Sequence, residues 1–577
     1  IFKMKEVFSL LMERLEETVR KFPPCRAACP AHVNVQAYVC LIQMGKFKEA
    51  VEVIRRDLPF PAICGRVCFS PCEDACSRIN IDQAVAIRSL KRLVADIERE
   101  QGRVRAEPIP KRYSEKIAII GAGPAGLAAA YELAKLGYPV TVFERMPEPG
   151  GMMRYCIPDY RLERFVVRNE IEYIKDLGVE IKTGVEFGKD VTIDSLRRDG
   201  YKAIFIAVGA QASAKMNIPG EDLEGVIHAV DFLRALSLGK QIDVGERVAV
   251  IGGGNTAIDA ARTAKRLGAK EVMILYRRSR QEMPAHPWEV EIAEKDGVKF
   301  YFLVSPKRII GENGRVKAVE CIRMRLSEPD ESGRRRPIPI PFTEHQYEVD
   351  LVIPAIGQVV ETWTLPPEIV SKDGLIEVNP LTMETNIPGV FAGGDVVSGP
   401  ASIIEAVGAG KRAALSIHCY LRGEPLKREN LEEVTWVKNW SSLSKKERRY
   451  ESPVEKPRLS FEEVRAYLER VQRAARFEAL RCLGCGPCAE CLMGIDLCVK
   501  DKAVVDENRC IGCGLCVEIC PYNAITKNEN GVAQVSEELC KGCGTCAARC
   551  PKEAITMENI SNERILAAVM NAIAEVT

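Results

Sequence analysis

The apolar positions gather into short runs closed by glycine turns, twice in the same order. Lys116–Ile120 reads as a short strand running into Gly121-Ala122-Gly123-Pro124-Ala125-Gly126, with an Ala/Leu-rich helix following to about Leu136. A second strand, Val140–Phe143, ends at Glu144. The pattern returns as the strand Val248–Ile251, the turn Gly252-Gly253-Gly254-Asn255-Thr256-Ala257 and a helix over Ile258–Leu267. The next strand, Glu271–Leu275, runs out into Tyr276-Arg277-Arg278. Ala207-Val208-Gly209 and Ala355-Ile356-Gly357 each close an apolar strand, and Phe391-Ala392-Gly393-Gly394-Asp395 follows another apolar stretch. Gly399-Pro400-Ala401-Ser402 opens a helix through Glu405 to about Leu415. A helix is also predicted over Phe461–Leu480, a stretch without Gly or Pro, and a polar linker from about Gly423 to Pro457.

Each strand–turn–helix unit carries the G-x-G-x-x-G dinucleotide fingerprint in its required context. In the first, Gly121 makes the tight turn, Gly123 lets the backbone approach a pyrophosphate, and Gly126 allows close helix packing. The helix N-terminus then meets the phosphate charge, and Glu144 would hold ribose hydroxyls. In the second unit Gly252, Gly254 and Asn255 form the turn, and Ala257 replaces the third glycine. Its second strand ends on Arg277 and Arg278 where an acid would hold a ribose, which favours a 2′-phosphate and hence NADP over NAD. Two such sites imply a flavin and a nicotinamide exchanging hydride. That chemistry needs positioning and exclusion of water, so no catalytic side chain is expected beyond the bound cofactors, His286 included. Gly394 and Asp395 fall where a cofactor must come close, and the helix opened by Ser402 offers its positive end to a reduced flavin.

Charge narrows the partners. Lys+Arg 81 against Asp+Glu 80 leaves +1, so no global field draws the chain to nucleic acid or an anionic membrane. Arg334-Arg335-Arg336 reads as a solvated loop. No apolar run reaches the length of roughly 18 residues that a membrane span needs. The opening residues mix both signs of charge, unlike a secretory signal.

Of 23 cysteines, seven lie between Cys25 and Cys76 and thirteen between Cys482 and Cys550; only Cys156, Cys321 and Cys419 fall elsewhere. Dense end clusters on a Cys-poor body point to metal sites in a reducing compartment, the cytoplasm, rather than to a disulfide scaffold. Near the C-terminus, Cys510, Cys513, Cys516, Cys520 and Pro521 recur as Cys540, Cys543, Cys546, Cys550 and Pro551. This is the doubled C-x2-C-x2-C-x3-C-P run of two-cluster ferredoxins, in which the fourth thiolate serves the other cluster. One [4Fe–4S] set is therefore Cys510, Cys513, Cys516 and Cys550, and the other Cys540, Cys543, Cys546 and Cys520. Upstream, Cys482, Cys485, Cys488, Cys491 and Cys498 suffice for a further cluster with one thiol to spare, a structural zinc being the competing reading.

Together the flavin motif, Pro149-Gly150-Gly151, Arg154–Leu162, the second glycine motif, Tyr276-Arg277-Arg278 and Gly393-Gly394-Asp395 resemble the small subunit of glutamate synthase. They equally resemble the NADPH-side flavoprotein of NADH-dependent ferredoxin:NADP oxidoreductase and the electron-input half of dihydropyrimidine dehydrogenase. The resemblance runs from about Pro24 to Leu421. It implies FAD on an outer, discontinuous domain that includes Gly151, NAD(P)H on an inserted domain, and clusters in an N-terminal helical domain. There, Cys25-x3-Cys29-Pro30 is followed by Cys64, Cys68, Cys72 and Cys76, with Pro71 breaking any continuous helix in favour of loops. The family has two further cysteines before the first pair, in an R-C-L-x-C context; here Arg481-Cys482-Leu483-Gly484-Cys485 carries that pattern instead. The family's non-cysteine ligand position falls on Lys91, a poor ligand. One N-terminal cluster is expected around Cys29, Cys68 and Cys72 with Cys64 a candidate fourth, and a second site using Cys25 and Cys76 is left open. Cys40 is expected to be buried, and Cys156, where the family has glycine, is expected to be a packing residue, with proximity to the flavin the alternative.

The expected architecture is multidomain. A helical iron–sulfur domain (1–111) precedes an FAD domain (112–220 and 360–422) of Rossmann-like α/β type, interrupted by a similar NAD(P)H domain (221–359). A linker (423–458), a Cys-rich segment (459–505) and an α+β ferredoxin-like domain (506–577) complete it. The expected activity is an FAD- and iron–sulfur-dependent NAD(P)H oxidoreductase subunit exchanging electrons with a ferredoxin or other subunits of a redox complex, with flavin-based bifurcation one way to fill low-potential clusters. The rival readings are a glutamate synthase small subunit and an electron-wiring subunit whose nicotinamide site is vestigial.

Overall fold

The computed structural model describes residues 23–424, apart from 44, 81, 101, 103–104 and 330–334, and then 471–482 and 503–557 with short gaps. The predicted linker and most of the predicted helix over 461–480 lie outside the described residues, as do Cys485, Cys488, Cys491, Cys498 and Cys543. The chain divides into two compact units, 105–426 and the two ends, 1–104 with 427–577.

The 105–426 unit is built on two parallel sheets. The first orders its strands Val390–Ala392, Tyr201–Ile206, Lys116–Ile120, Val140–Glu144 and Glu180–Thr183. Its central strands are apolar on both faces, as a sheet covered by helices on each side requires. The helix Pro124–Leu136 lies against the helix Ile403–Arg422, close enough that a Cβ on Gly410 would collide with the Ala125 carbonyl. The second sheet runs Leu351–Pro354, Arg247–Ile251, Glu271–Tyr276 and Lys299–Phe302. A two-stranded ribbon, Ala212–Ser213 against Gln358–Val359, forms where the chain leaves the first sheet and returns to it.

Some elements differ from expectation. An antiparallel sheet of Val304–Glu312, Arg315–Pro329, Arg335–Pro339 and His345–Glu348 was not anticipated. Arg335 and Arg336 are exposed, but they begin one of its strands instead of a loop. The helix opened by Ser402 runs on to Arg422, where Gly423 ends it in the left-handed region.

In the other unit, the N-terminal helices Val35–Gln43, Phe47–Asp57, Pro61–Val67 and Ile87–Glu100 enclose a core that includes Tyr38, Ile42, Ile54 and Leu58. A Cβ on Gly65 would sit 2.6 Å from Arg92 Cα, so the last two helices cross at backbone contact. Pro71 does end the run of cysteines as one helix, yet it opens a new turn, Pro71–Asp74, so Cys64 and Cys72 are helical rather than in loops. Cys40 is half-buried on its helix, not buried, although its neighbours Val39 and Leu41 are buried. Near the C-terminus, Ala503–Val505 pairs with Ile555–Met557, and Ile525–Lys527 with Ala533–Val535, each pair joining a strand of one half of the repeat to a strand of the other.

Candidate cofactor sites

In the first glycine turn Gly121 adopts φ +102°, and a Cβ there would lie 2.5 Å from the Ala207 carbonyl oxygen, at the return crossing after Tyr201–Ile206. A Cβ on Gly126 would run into the Gly121 carbonyl, so the helix starts pressed onto the turn. Gly123 is the opposite case: no atom lies within 4 Å of a Cβ built there. This is the open side from which a diphosphate can approach the backbone. Gly151 lies against Gly123, its Cβ position 2.8 Å from Gly123 Cα, and Gly394 lies against Ala125.

Glu144 is buried at the end of the second strand, accepting from the Ala122 N–H at 2.7 Å and the Met146 N–H at 2.8 Å. Burial pushes its carboxyl up, while those two N–H groups pull it down. Beside Gly394, burial lifts Asp395 to about 6 although its Oδ1 accepts from the Ala401 N–H at 3.3 Å. The fold thus draws Gly121, Gly123, Gly126, Glu144, Gly151, Gly394 and Asp395 around one open turn. A backbone cradle with an acid at the neighbouring strand end fits the diphosphate and ribose of FAD.

The second turn repeats this plan. Gly252 adopts φ +145°, and a Cβ would collide with the Ala355 carbonyl, the equivalent return crossing; Gly254 faces open space. The helix begins at Asn255, three residues earlier than its apolar pattern indicates, because Gly254 serves as N-cap. Asn255 Oδ1 accepts from the His286 N–H at 3.1 Å, and Ala257 is fully buried where a larger residue has no room. Arg277 is exposed at the strand end. Arg278 Nε is buried with no hydrogen-bond partner among the described residues, a donor suited to a phosphate.

Between the two cradles stands an ion-pair network that the sequence does not advertise. Arg161 pairs with Asp259 and with Glu289; Arg262 pairs with Asp296 and stands 3.7 Å from Glu289. Arg161, Asp259, Arg262 and Glu289 are all buried, and Tyr160 stacks under Arg262 and Arg266. Arg154 adds a strap, bonding Glu148 and, at 2.7 Å, the Ser237 hydroxyl. Cys156 is buried against Val230 and Met152, and burial pushes its thiol up to about 12, which fits packing rather than redox work.

The thiols of the other unit line distinct spaces. Cys510, Cys513, Cys516 and Cys550 surround one pocket together with Gly512 and Pro551. The two halves of the repeat donate backbone N–H groups to sulfur in matching fashion. Ala524 bonds Cys520 and Ala554 bonds Cys550, at 3.2 Å each; Ala533 bonds Cys510 and Ala503 bonds Cys540, at 3.5 Å each. Such bonds stabilise thiolates and tune a cluster's potential. The core of this segment consists largely of the cysteines themselves, packed with Ala503, Ile525, Ala533 and Ile555.

Near the N-terminus, Lys91 is buried among Cys68, Cys64, Cys72 and Cys29. Burial pushes its ammonium down, but the thiols outweigh this and hold it charged. Burial likewise pushes the Cys68 and Cys72 thiols up. Tyr38 Oη, buried near Cys72, Cys25 and Cys29, has no hydrogen-bond partner among the described residues and is a donor suited to the sulfur of a cluster. Cys25, Cys76 and Cys482 line a separate pocket. Among the described residues no cysteine is in a disulfide, and no three ligating side chains converge on a single-ion site.

Two dinucleotide cradles in one body define the two-domain class of flavin- and nicotinamide-dependent oxidoreductases, here with thiol-rich ends. Residues 115–410 match the pyridine nucleotide-disulphide oxidoreductase model, 18–103 the dihydropyrimidine dehydrogenase domain II, 4Fe-4S cluster model, and 503–557 the 4Fe-4S dicluster domain. The chain belongs to the pyridine nucleotide-disulphide oxidoreductase family, with a 4Fe-4S domain at each end. It is 48% identical over 424 residues to the NADP(+)-dependent formate dehydrogenase subunit beta of Moorella thermoacetica, covering 69% of this chain and 60% of that one. It is 36% identical over 426 residues to the glutamate synthase [NADPH] small chain of Azospirillum brasilense, covering 70% and 87%. Among solved structures, FprA from Mycobacterium tuberculosis matches at 23% identity and a TM-score of 0.48, over 54% of this chain and 85% of that one. The chain thus spans only about 60% of the formate dehydrogenase subunit's length. Among the described residues no helix is long and apolar enough to cross a membrane.

Proposed function

We propose that the chain conducts electrons between NAD(P)H and a protein partner, either a ferredoxin or other subunits of a redox complex in the cytoplasm. In this reading the Gly252–Ala257 turn holds the nicotinamide dinucleotide, with Arg277 and Arg278 on a 2′-phosphate, and the Gly121–Gly126 turn holds FAD with Glu144 on its ribose. Bound FAD supplies the exchange between a hydride pair and single electrons, and clusters accept those one at a time. The observation that carries the reading is the presence in one chain of two open glycine cradles and a pocket walled by Cys510, Cys513, Cys516 and Cys550.

The protein's own work is then positional. Arg161 and Arg154 tie the two nucleotide domains together, and paired N–H groups hold the C-terminal thiolates ready. Each ~100 mV that two electrons must climb costs about 4.6 kcal/mol, so filling low-potential clusters needs bifurcation at the flavin or a downstream sink. The C-terminal dicluster segment has no place in a simple glutamate synthase small subunit, which favours a different acceptor. The test is NADPH-dependent reduction of an artificial acceptor by the purified chain, together with identification of the subunits that accompany it. Turnover with redox subunits attached supports the proposal. Flavin and iron without any nucleotide-dependent turnover would indicate a vestigial nicotinamide site.

A further inference from the structure

Three thiols from three distant stretches of chain face one pocket near the N-terminus. Cys25 comes from the helix Pro24–Ala27, Cys76 follows the helix Pro71–Asp74, and Cys482 follows the helical residues between 471 and 479. The rest of the lining is mainly apolar, including Val35, Val39 and Ile87, and contains no carboxylate or imidazole. Its one charged residue is Arg78, paired with Asp82. Three thiols, with neutral Gln36 and Ser77 as the other polar groups of the lining, set between apolar walls and a cation favour a soft, anionic metal group over a hard cation. With the open solvent at its mouth included, the space is about 380 Å³, similar to the roughly 370 Å³ on the same basis for the pocket walled by Cys510, Cys513, Cys516 and Cys550. Neither space is lined by Cys29, Cys64, Cys68 or Cys72, which gather instead around Lys91.

The segment bearing Cys482 is held in place by bonds of its own. One turn before the cysteine, Glu478 is fully buried, and its Oε1 accepts from the Ala86 N–H at 2.9 Å. Ala86 stands between Val85 and Ile87, two residues of the pocket wall. Arg476 Nε donates to the Gln43 carbonyl at 3.1 Å, at the end of the helix that supplies Val35 and Val39. Ala475 and Ala479 are fully buried on the same segment. A buried carboxylate spent on a backbone N–H is costly to place by chance, because it must surrender its hydration.

We propose that Cys482 is a ligand of an N-terminal iron–sulfur cluster, which it shares with Cys25 and Cys76, and is not part of a separate cluster with the cysteines that follow it. The C-terminal arm then closes a site that the N-terminal helices leave open, so residues 18–103 alone cannot complete it. This assignment rests on the reading of the terminal thiols as cluster ligands.

The test uses the full chain purified without oxygen. Iron, acid-labile sulfide and the paramagnetic spectrum after dithionite reduction are compared for wild type, Cys25→Ser, Cys482→Ser and the double variant, with bound flavin as the check on folding. Each single variant should lose the same signal and about four irons per chain, and the double variant should lose no more than either. Glu478→Ala, which leaves every thiol in place, should weaken the same signal. If Cys482→Ser keeps the signal that Cys25→Ser loses, or if the two losses add, the assignment is wrong. A wild-type chain without iron and sulfide would overturn the underlying reading and the assignment with it.

Discussion

Arg161 donates from Nη1 to both carboxylate oxygens of Asp259, at 2.6 and 2.7 Å, across the junction of the flavin and nicotinamide sheets. Burial pushes the Asp259 carboxyl up and the Arg161 charge pulls it back, so the carboxylate relies on Arg161 to stay ionised. Removing one partner strands a buried charge. Arg161→Ala should therefore lower stability by about 3–5 kcal/mol, more than replacing the pair together with apolar residues would. Denaturant unfolding followed by flavin release measures this. A loss no larger than that of a surface substitution would remove the junction from the account.

The two sides of the flavin turn separate folding from binding. Gly121→Ala forces a Cβ to within 2.5 Å of the Ala207 carbonyl at φ +102° and should destabilise the apoprotein. Gly123→Ala adds its methyl in open space and should leave the apoprotein's melting unchanged while emptying the protein of flavin. Thermal melting and the yellow absorbance of the purified variants decide it; flavin retained at wild-type level in Gly123→Ala would place the cofactor elsewhere.

Arg277 and Arg278 should matter to one nucleotide only. A charge-assisted hydrogen bond to phosphate contributes roughly 1.5–3 kcal/mol, so replacing Arg278 by Ala should raise KM for NADPH about 10- to 100-fold, and replacing Arg277 as well should raise it further. KM for NADH should stay nearly constant. Equal losses for the two nucleotides would mean the arginines do not read the 2′-phosphate.

Asp395, held up at about 6 by burial, gives a pH signature. The folded state keeps this proton more tightly than the unfolded chain, whose carboxyl titrates near 4. Its contribution to stability is therefore complete below pH ~4 and is lost as pH rises through 6. Asp395→Asn, freed of flavin, should lack that decline. An unchanged pH profile between 4 and 7 would show that Asp395 is not the group responsible.

Local spacing made much of this readable in advance. The turns at Gly121 and Gly252 announce themselves because strand, glycines and helix are contiguous, and the doubled cysteine run names its partners because each half repeats the other. What depends on distant chain was not legible. Arg161, Asp259 and Glu289 meet only after folding, and each alone looks like a surface charge. The antiparallel sheet over 304–348 carries a broken alternation, since the strand Arg315–Pro329 shifts register against its neighbours. Cys482 reads locally as the first half of a C-x2-C pair, whereas its position is set by Glu478 reaching the Ala86 N–H. Lys91 reads, through the resemblance, only as a poor ligand at the non-cysteine position; that it is buried among four thiols emerges only on folding.

The central claim is that reducing equivalents from the nicotinamide reach the terminal clusters through the flavin. Stepwise addition of NADPH to the oxygen-free chain, recorded by absorbance and low-temperature paramagnetic resonance, tests it directly. NADPH should bleach the flavin bands with cluster signals appearing in the same titration, and should do neither in Gly123→Ala. Clusters that NADPH reduces equally well in the flavin-free variant, or that never respond while the flavin is fully reduced, would contradict it.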